Sequence, residues 1–211
     1  MKTITNKVLI RKLAVTGALG ALTVVLSVTH LGLIPFVSGA AITILQIPVI
    51  IAVLMEGFAV GLGVGAIFGV SSLIQAAMNP TGVLDPFFVN PIVSVIPRML
   101  IAVITYLVFK GLQTFNKKNQ PVIKTVFAGA AAFFGSMANT VFVIGSLYLV
   151  YAKDILELAG GKGYFAFMLI LLPQALLEAA ASVILCTAVI AVKETAFRKK
   201  SKLAEEIEKA E

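Results

Sequence analysis

The sequence predicts an all-α integral membrane protein with six transmembrane helices and both termini in the cytoplasm. Three observations carry that expectation. Hydrophobic residues make up 59% of the 211 residues and the mean hydropathy is +1.02, whereas soluble domains hold roughly 45–50% apolar residues. The apolar residues fall in long runs separated by short breaks, and at about 20 residues per crossing there is room for roughly five to seven helices. The cations concentrate in alternate breaks, and only the link between the second and third runs, with a lone Glu56, gives no signal. Four precede the first run, four (Lys110, Lys117, Lys118 and Lys124) lie between the fourth and fifth, and six stand from Lys193 onward. The links after the first and third runs carry none, and the link after the fifth holds Lys153 and Lys162 balanced by Asp154 and Glu157. Cations collect on the cytoplasmic side, which sets the orientation.

Two parts are expected: a six-helix membrane domain over residues 1–192 and a charged cytoplasmic tail over 193–211. The first span runs from about Leu9 to Pro35. Its Ala14, Gly17, Ala18 and Ala21 stand at i, i+3, i+4 and i+7, a smooth face that lets another helix approach closely. The link from His30 to Gly39 is uncharged and broken by Pro35 and Gly39. A short second span covers about Ala40 to Met55 and carries Gln46 and Pro48. Glu56-Gly57 turns the chain into a third span, Phe58 to Met78, where Gly57, Gly61, Gly65 and Gly69 repeat every four residues, the pattern of close helix packing in lipid. The fourth span enters through Asp85 and continues to about Phe109. The fifth, about Pro121 to Tyr151, has Ala128, Ala132 and Ser136 at four-residue spacing with Asn139 three further on. The sixth, about Tyr164 to Val192, contains Pro173, Gln174 and Glu178. Tyr148, Tyr151 and Tyr164 gather at the expected outer interface, as aromatic belts do.

The chemistry concentrates between Asp85 and Arg98, D-P-F-F-V-N-P-I-V-S-V-I-P-R. A cation deep in a bilayer costs a few kcal/mol or more unless it faces protein, water or an anion, so Arg98 marks a functional site. On one helix Asn90, Ser94 and Arg98 would form a stripe, with Arg98 roughly 15–20 Å from the outer end at 1.5 Å per residue. Glu178 lies at a similar depth on the sixth span. One reading is an Arg98–Glu178 ion pair that only locks the bundle. The other makes Arg98, or the pair, the floor of an outward-facing pocket walled by Asn90, Ser94, Asn139, Gln174 and Gln46. Pro91 and Pro97 remove backbone donors, which frees the carbonyls of Phe87 and Val93 as acceptors.

Several classes have little to stand on. The basic balance flanks apolar spans, which speaks for topology over nucleic-acid binding. No H-E-x-x-H, G-x-S-x-G or Cys/His cluster occurs, and the lone Cys186 offers no metal site, so enzyme chemistry lacks its residues. No Walker A motif occurs, so ATP-driven transport would need a partner ATPase. A stand-alone secondary transporter, with Arg98 and Glu178 coupling ions, remains a second reading, though no inverted repeat relates the helices.

The order of features resembles the S components of energy-coupling factor (ECF) vitamin transporters, over nearly the whole chain. The resemblance rests on the small-residue first helix with Ala14 and Ala18, on T-I-L-Q-I-P-V-I-I-A (Thr43 to Ala52), and on the glycine-rich third helix (Gly57 to Ala76). Its most specific part is F-F-V-N-P-I-V-S-V-I-P-R (Phe87 to Arg98), similar to the group that includes pantothenate and cobalamin carriers. It implies a vitamin-binding subunit in a bacterial plasma membrane, closed by its outer loops, with no cofactor of its own. It also implies docking through Ala14 and Ala18 onto a transmembrane T component bound to two ATPases, which use the ATP. Charge complementarity to Arg98 favours an anion such as pantothenate; cobalamin or another vitamin or precursor is the alternative.

Overall fold

The computed structural model describes residues 2–29, 31–35, 41–80, 82–116 and 120–210. His30, residues 36–40 of the following link, and Lys117 and Lys118 lie outside the described residues. The chain is built from helices: α1 (Lys2–Val28), α2 (Ile47–Glu56), α3 (Phe58–Met78), α4 (Pro91–Gln113), α5 (Pro121–Val150), α6 (Ala152–Leu158) and α7 (Tyr164–Ala210). A small antiparallel strand pair, β1 (Leu33–Pro35) with β2 (Ala41–Thr43), precedes α2, and a 3-10 turn (Asp85–Val89) precedes α4. Five of the described helices, α1, α3, α4, α5 and α7, are long and apolar enough to cross a bilayer.

Three expected spans have other bounds: the first ends at Val28, with Leu33–Pro35 paired in β1 instead of helical, and the second and fourth differ for a reason that proline supplies. The second span is a ten-residue helix, about 15 Å long at 1.5 Å per residue. Pro48 lacks an N–H and fits only in a first turn, so the helix begins at Ile47 and the preceding residues pair as β2. The fourth span likewise does not include the whole Asp85–Arg98 stretch. Pro91 opens α4, and Asn90 is its N-cap, with Oδ1 accepting from the Ile92 N–H at 2.9 Å. Asn90 therefore stands at the helix entrance and does not continue the stripe of Ser94 and Arg98.

The remaining elements follow their patterns. Glu56 ends α2 and Gly57, at φ +93°, turns the chain directly into α3, a left-handed conformation that glycine adopts without penalty. The α3 glycine ladder lies on the backbone of α4. A Cβ added at Gly65 would stand 2.8 Å from the Arg98 carbonyl, and one at Gly69 2.5 Å from the Val95 Cα. On α5, Ala128, Ala132, Ser136 and Asn139 are all buried, and Gly135 admits Thr105 of α4. α2 is wrapped on most sides: Val49, Ile50 and Ala52 are fully buried and meet Val64, Phe68, Ile101 and Ala132 in the main apolar core. The tail beyond Lys193 continues α7 without a break to Ala210.

Charge closes the end where α2 stops. Arg11 of α1 pairs with the buried Glu56, Lys193 Nζ donates to the Met55 carbonyl at 2.9 Å, and Lys124 of α5 pairs with Glu194 of α7 at 2.6 Å. A lysine on the last carbonyls of α2 also complements its dipole. These contacts tie four helices together at one level. The small face of α1 is uncovered: Ala14, Gly17, Ala18 and Ala21 are all exposed, while Gly20 and Thr23 turn inward.

The ladder generates a stability test. Gly69→Ala forces α3 from α4 and is expected to destabilise the purified protein by about 1–3 kcal/mol, whereas Gly111→Ala, whose added Cβ meets nothing within 4 Å, leaves thermal unfolding unchanged or slightly raised. Equal melting temperatures would refute the close approach.

Candidate functional site

Buried polar side chains collect in two groups inside the apolar bundle. The first centres on Glu178 of α7, 3% exposed. Its Oε1 accepts from the backbone N–H of Thr43 at 2.7 Å and from Gln174 Nε2 at 3.3 Å. Its Oε2 faces Gln46 Nε2 at 3.4 Å, and the same amide donates to Ser136 Oγ at 3.0 Å. The carboxylate thus joins β2, the N-cap of α2 and α7, and the Gln46 amide extends the network to α5. The short α2 makes this possible, because its first turn begins inside the bundle and presents an N-terminal dipole and Gln46 to an acid. Asn139, one turn beyond Ser136 on α5, is buried as well.

The second group centres on Arg98 of α4, 7% exposed. Pro97 cannot donate to the Val93 carbonyl, and Arg98 Nη1 takes that acceptor at 3.0 Å. Nη2 lies 3.4 Å from Ser72 Oγ on α3. The guanidinium carbon stands 5.4 Å from the Phe68 ring centre and 4.8 Å from that of Phe88, within cation–π range. Ser94 donates to the Phe88 carbonyl. The Phe87 carbonyl, expected to be free, accepts from the Asn90 N–H at 3.3 Å.

Arg98 and Glu178 do not form the ion pair that was one expectation. Each is held by its own hydrogen-bond set. Three polar atoms of the two groups are buried without a protein partner: Gln46 Oε1, Arg98 Nε and Asn139 Oδ1. A buried donor or acceptor left unmatched costs about 1–3 kcal/mol, so this constellation has one donor, on Arg98, and two acceptors, on Gln46 and Asn139, to offer a polar ligand. An apolar groove of about 420 Å³ between α1 and α3, walled by Val24, Val28, Val70, Ile74 and Met78, lies apart from it and includes none of the predicted site residues.

Of the residues singled out from sequence, Gln46, Gln174 and Glu178 are in direct contact, Asn139 lies beside their partner Ser136, and Ser94 and Arg98 share α4. Asn90 is set apart at the rim, half-buried, donating from Nδ2 to the Tyr151 hydroxyl at 3.3 Å. Sequence reasoning missed the Thr43 N–H, Ser72, Phe68 and Phe88, and took Ser136 only as a packing residue. Its place one turn before Asn139 was the available signal for Ser136; a backbone N–H and an aromatic face leave none.

Comparison with known proteins places the chain. The family described as ECF transporter, substrate-specific component, matches residues 11–190. The chain belongs to that family. It is also similar to the pantothenic acid transporter PanT of Lactococcus lactis subsp. cremoris (strain MG1363), 29% identical, with 70% of this chain and 75% of that protein covered. The S component is thus a multi-pass membrane transport protein, and both the family and this relative are transporters. Within it the Glu178 network is open to a direct test. Glu178→Gln keeps the shape but sets an amide N–H2 against donors, so the purified S component is expected to lose about 1–3 kcal/mol of stability. An unchanged melting temperature would show that the network contributes little.

Proposed function

We propose that this S component captures pantothenate, or a closely related hydroxylated carboxylic acid, at the constellation formed by Arg98, Glu178, Gln46, Gln174, Asn139 and Ser94, with Asn90 at its rim. The observation that carries the proposal is the separation of a buried guanidinium from a buried carboxylate. A ligand with a carboxylate at one end and hydroxyl and amide donors at the other complements both: the anion meets Arg98 in a charge-assisted hydrogen bond, and the donors meet Glu178 and its amides. Pantothenate has that distribution of groups. The similarity to a pantothenic acid transporter supports the same choice.

The rest of the proposal concerns the assembly. The five long helices and the short α2 make six passes, with both termini and the Arg11–Glu56 end in the cytoplasm, in a bacterial plasma membrane; the cation distribution supports that orientation. The chain binds no cofactor and hydrolyses nothing. Partner ATPases use the ATP, and a T component docks on the exposed small-residue face of α1 at Ala14 and Ala18. An uncovered Gly and Ala stripe is the surface type that lets another helix approach closely in lipid.

Mass spectrometry of small molecules retained by the purified protein is the most direct test, expected to return pantothenate without ATP or an ion gradient; cobalamin or another vitamin in its place would replace the substrate. Arg98→Ala is expected to weaken pantothenate binding roughly 30- to 100-fold, in keeping with a lost charged hydrogen bond, and a folded variant with unchanged affinity would remove Arg98 from the site. Ala14→Trp and Ala18→Trp are expected to leave binding intact and abolish uptake in cells; normal uptake by both would refute the docking face.

A further inference from the structure

We propose that Phe88 is the positioning residue for Arg98: its ring holds the guanidinium in the orientation that receives the ligand and couples that orientation to the outer cap of the protein. The inference rests on the proposed function, since it assigns Arg98 to the ligand, and it adds a residue and a release mechanism that the substrate assignment does not contain.

Two rings lie near the guanidinium, and they differ in how they are held. Phe68 is 2% exposed and belongs to α3, the helix whose glycines lie on the α4 backbone. Phe88 belongs to the five-residue 3-10 turn, is half-buried, and is the closer of the two at 4.8 Å. Its carbonyl accepts from Ser94, one turn before Arg98. One residue of the turn therefore addresses the arginine twice, through its ring and through a neighbour on α4.

The turn is in turn bound to the other outer elements. Phe87 packs on Tyr151 with ring centres 5.0 Å apart, and Asn90 donates to the Tyr151 hydroxyl. Leu84, Phe87 and Phe88 pack with Val93, Leu147 and Ile155 in an apolar cluster separate from the main core, which draws α6 into the same body. Moving this cap carries Phe88 off Arg98. Because the hydrogen bonds to Val93 and Ser72 hold only the Nη1 and Nη2 edge, loss of the ring frees the guanidinium plane to tilt. The ligand then leaves faster, while its entry, limited by opening of the cap, changes little.

The experiment measures pantothenate association and dissociation rates on the purified full chain, wild type against Phe88→Ala, Phe88→Leu and Phe88→Trp. Phe88→Ala and Phe88→Leu are expected to raise the dissociation rate about tenfold, with association within about threefold, and Phe88→Trp to restore the wild-type value, since an indole face binds cations best. A Phe88→Leu protein that releases ligand at the wild-type rate would reduce Phe88 to packing and overturn the proposal. The chain has no tryptophan, so Phe88→Trp also supplies a lone fluorophore. Its emission without ligand is expected to change when Arg98→Gln is added, and identical spectra would overturn the ring–guanidinium contact. That arm needs no substrate: failure of the wild type to bind pantothenate would count against the proposed function alone.

Discussion

A guanidinium inside an apolar bundle must be solvated by the protein that carries it, and the conditions for doing so organise much of this fold. Arg98 needs acceptors where a regular helix has none to spare. Pro97 releases the Val93 carbonyl by omitting an N–H, and Ser72 comes within reach because the α3 glycines let two backbones approach as closely as sterics allow. Aromatic faces near the guanidinium replace water with a quadrupole. The glycine ladder, the proline inside α4 and the aromatic 3-10 turn thus serve one cation.

Glu178 is met by a different strategy. The acid is placed where a helix begins, so that a strand N–H, the α2 dipole and two glutamine amides converge on it. In the proposed function, keeping the two charges on separate networks has a merit. A direct salt bridge buried in the bundle would be strongly self-satisfied and would have to be broken by any ligand, whereas two separately held charges keep one cationic and one anionic end available.

Much of this was legible in the sequence because lipid forces a simple grammar. Long apolar runs became α1, α3, α4, α5 and α7, the glycine spacing became the α3–α4 contact, and Arg98, Glu178 and Gln46 proved buried, with Gln174 half-buried beside them. What escaped was set by two prolines placed inside expected spans that act instead as helix starts. Pro48 and Pro91 each begin a helix, which shortened α2 and moved Asn90 from the stripe to the cap. The pairing of β1 with β2 was illegible because the strands are three residues each, too short for an alternating pattern to declare itself. The Thr43 N–H could not be foreseen at all, since backbone groups carry no sequence signal.

The shortness of α2 also has an electrical meaning. Its C-terminal end is marked by Glu56 and Arg11, and Gln46 stands ten residues away, about 15 Å along the axis, or near half of a hydrocarbon core of about 30 Å. In the proposed orientation the uncharged end of the ligand reaches that depth from outside, while its carboxylate stops at Arg98, seven residues into α4, about 10 Å along the axis and about a third of the way through the transmembrane voltage. With a negative interior this opposes binding by about 0.8 kcal/mol per 100 mV, roughly a fourfold weakening. The S component in an energised cell would then hold an anionic vitamin less tightly than the same protein in detergent, and the membrane potential itself would favour its return to the outside until the site is closed.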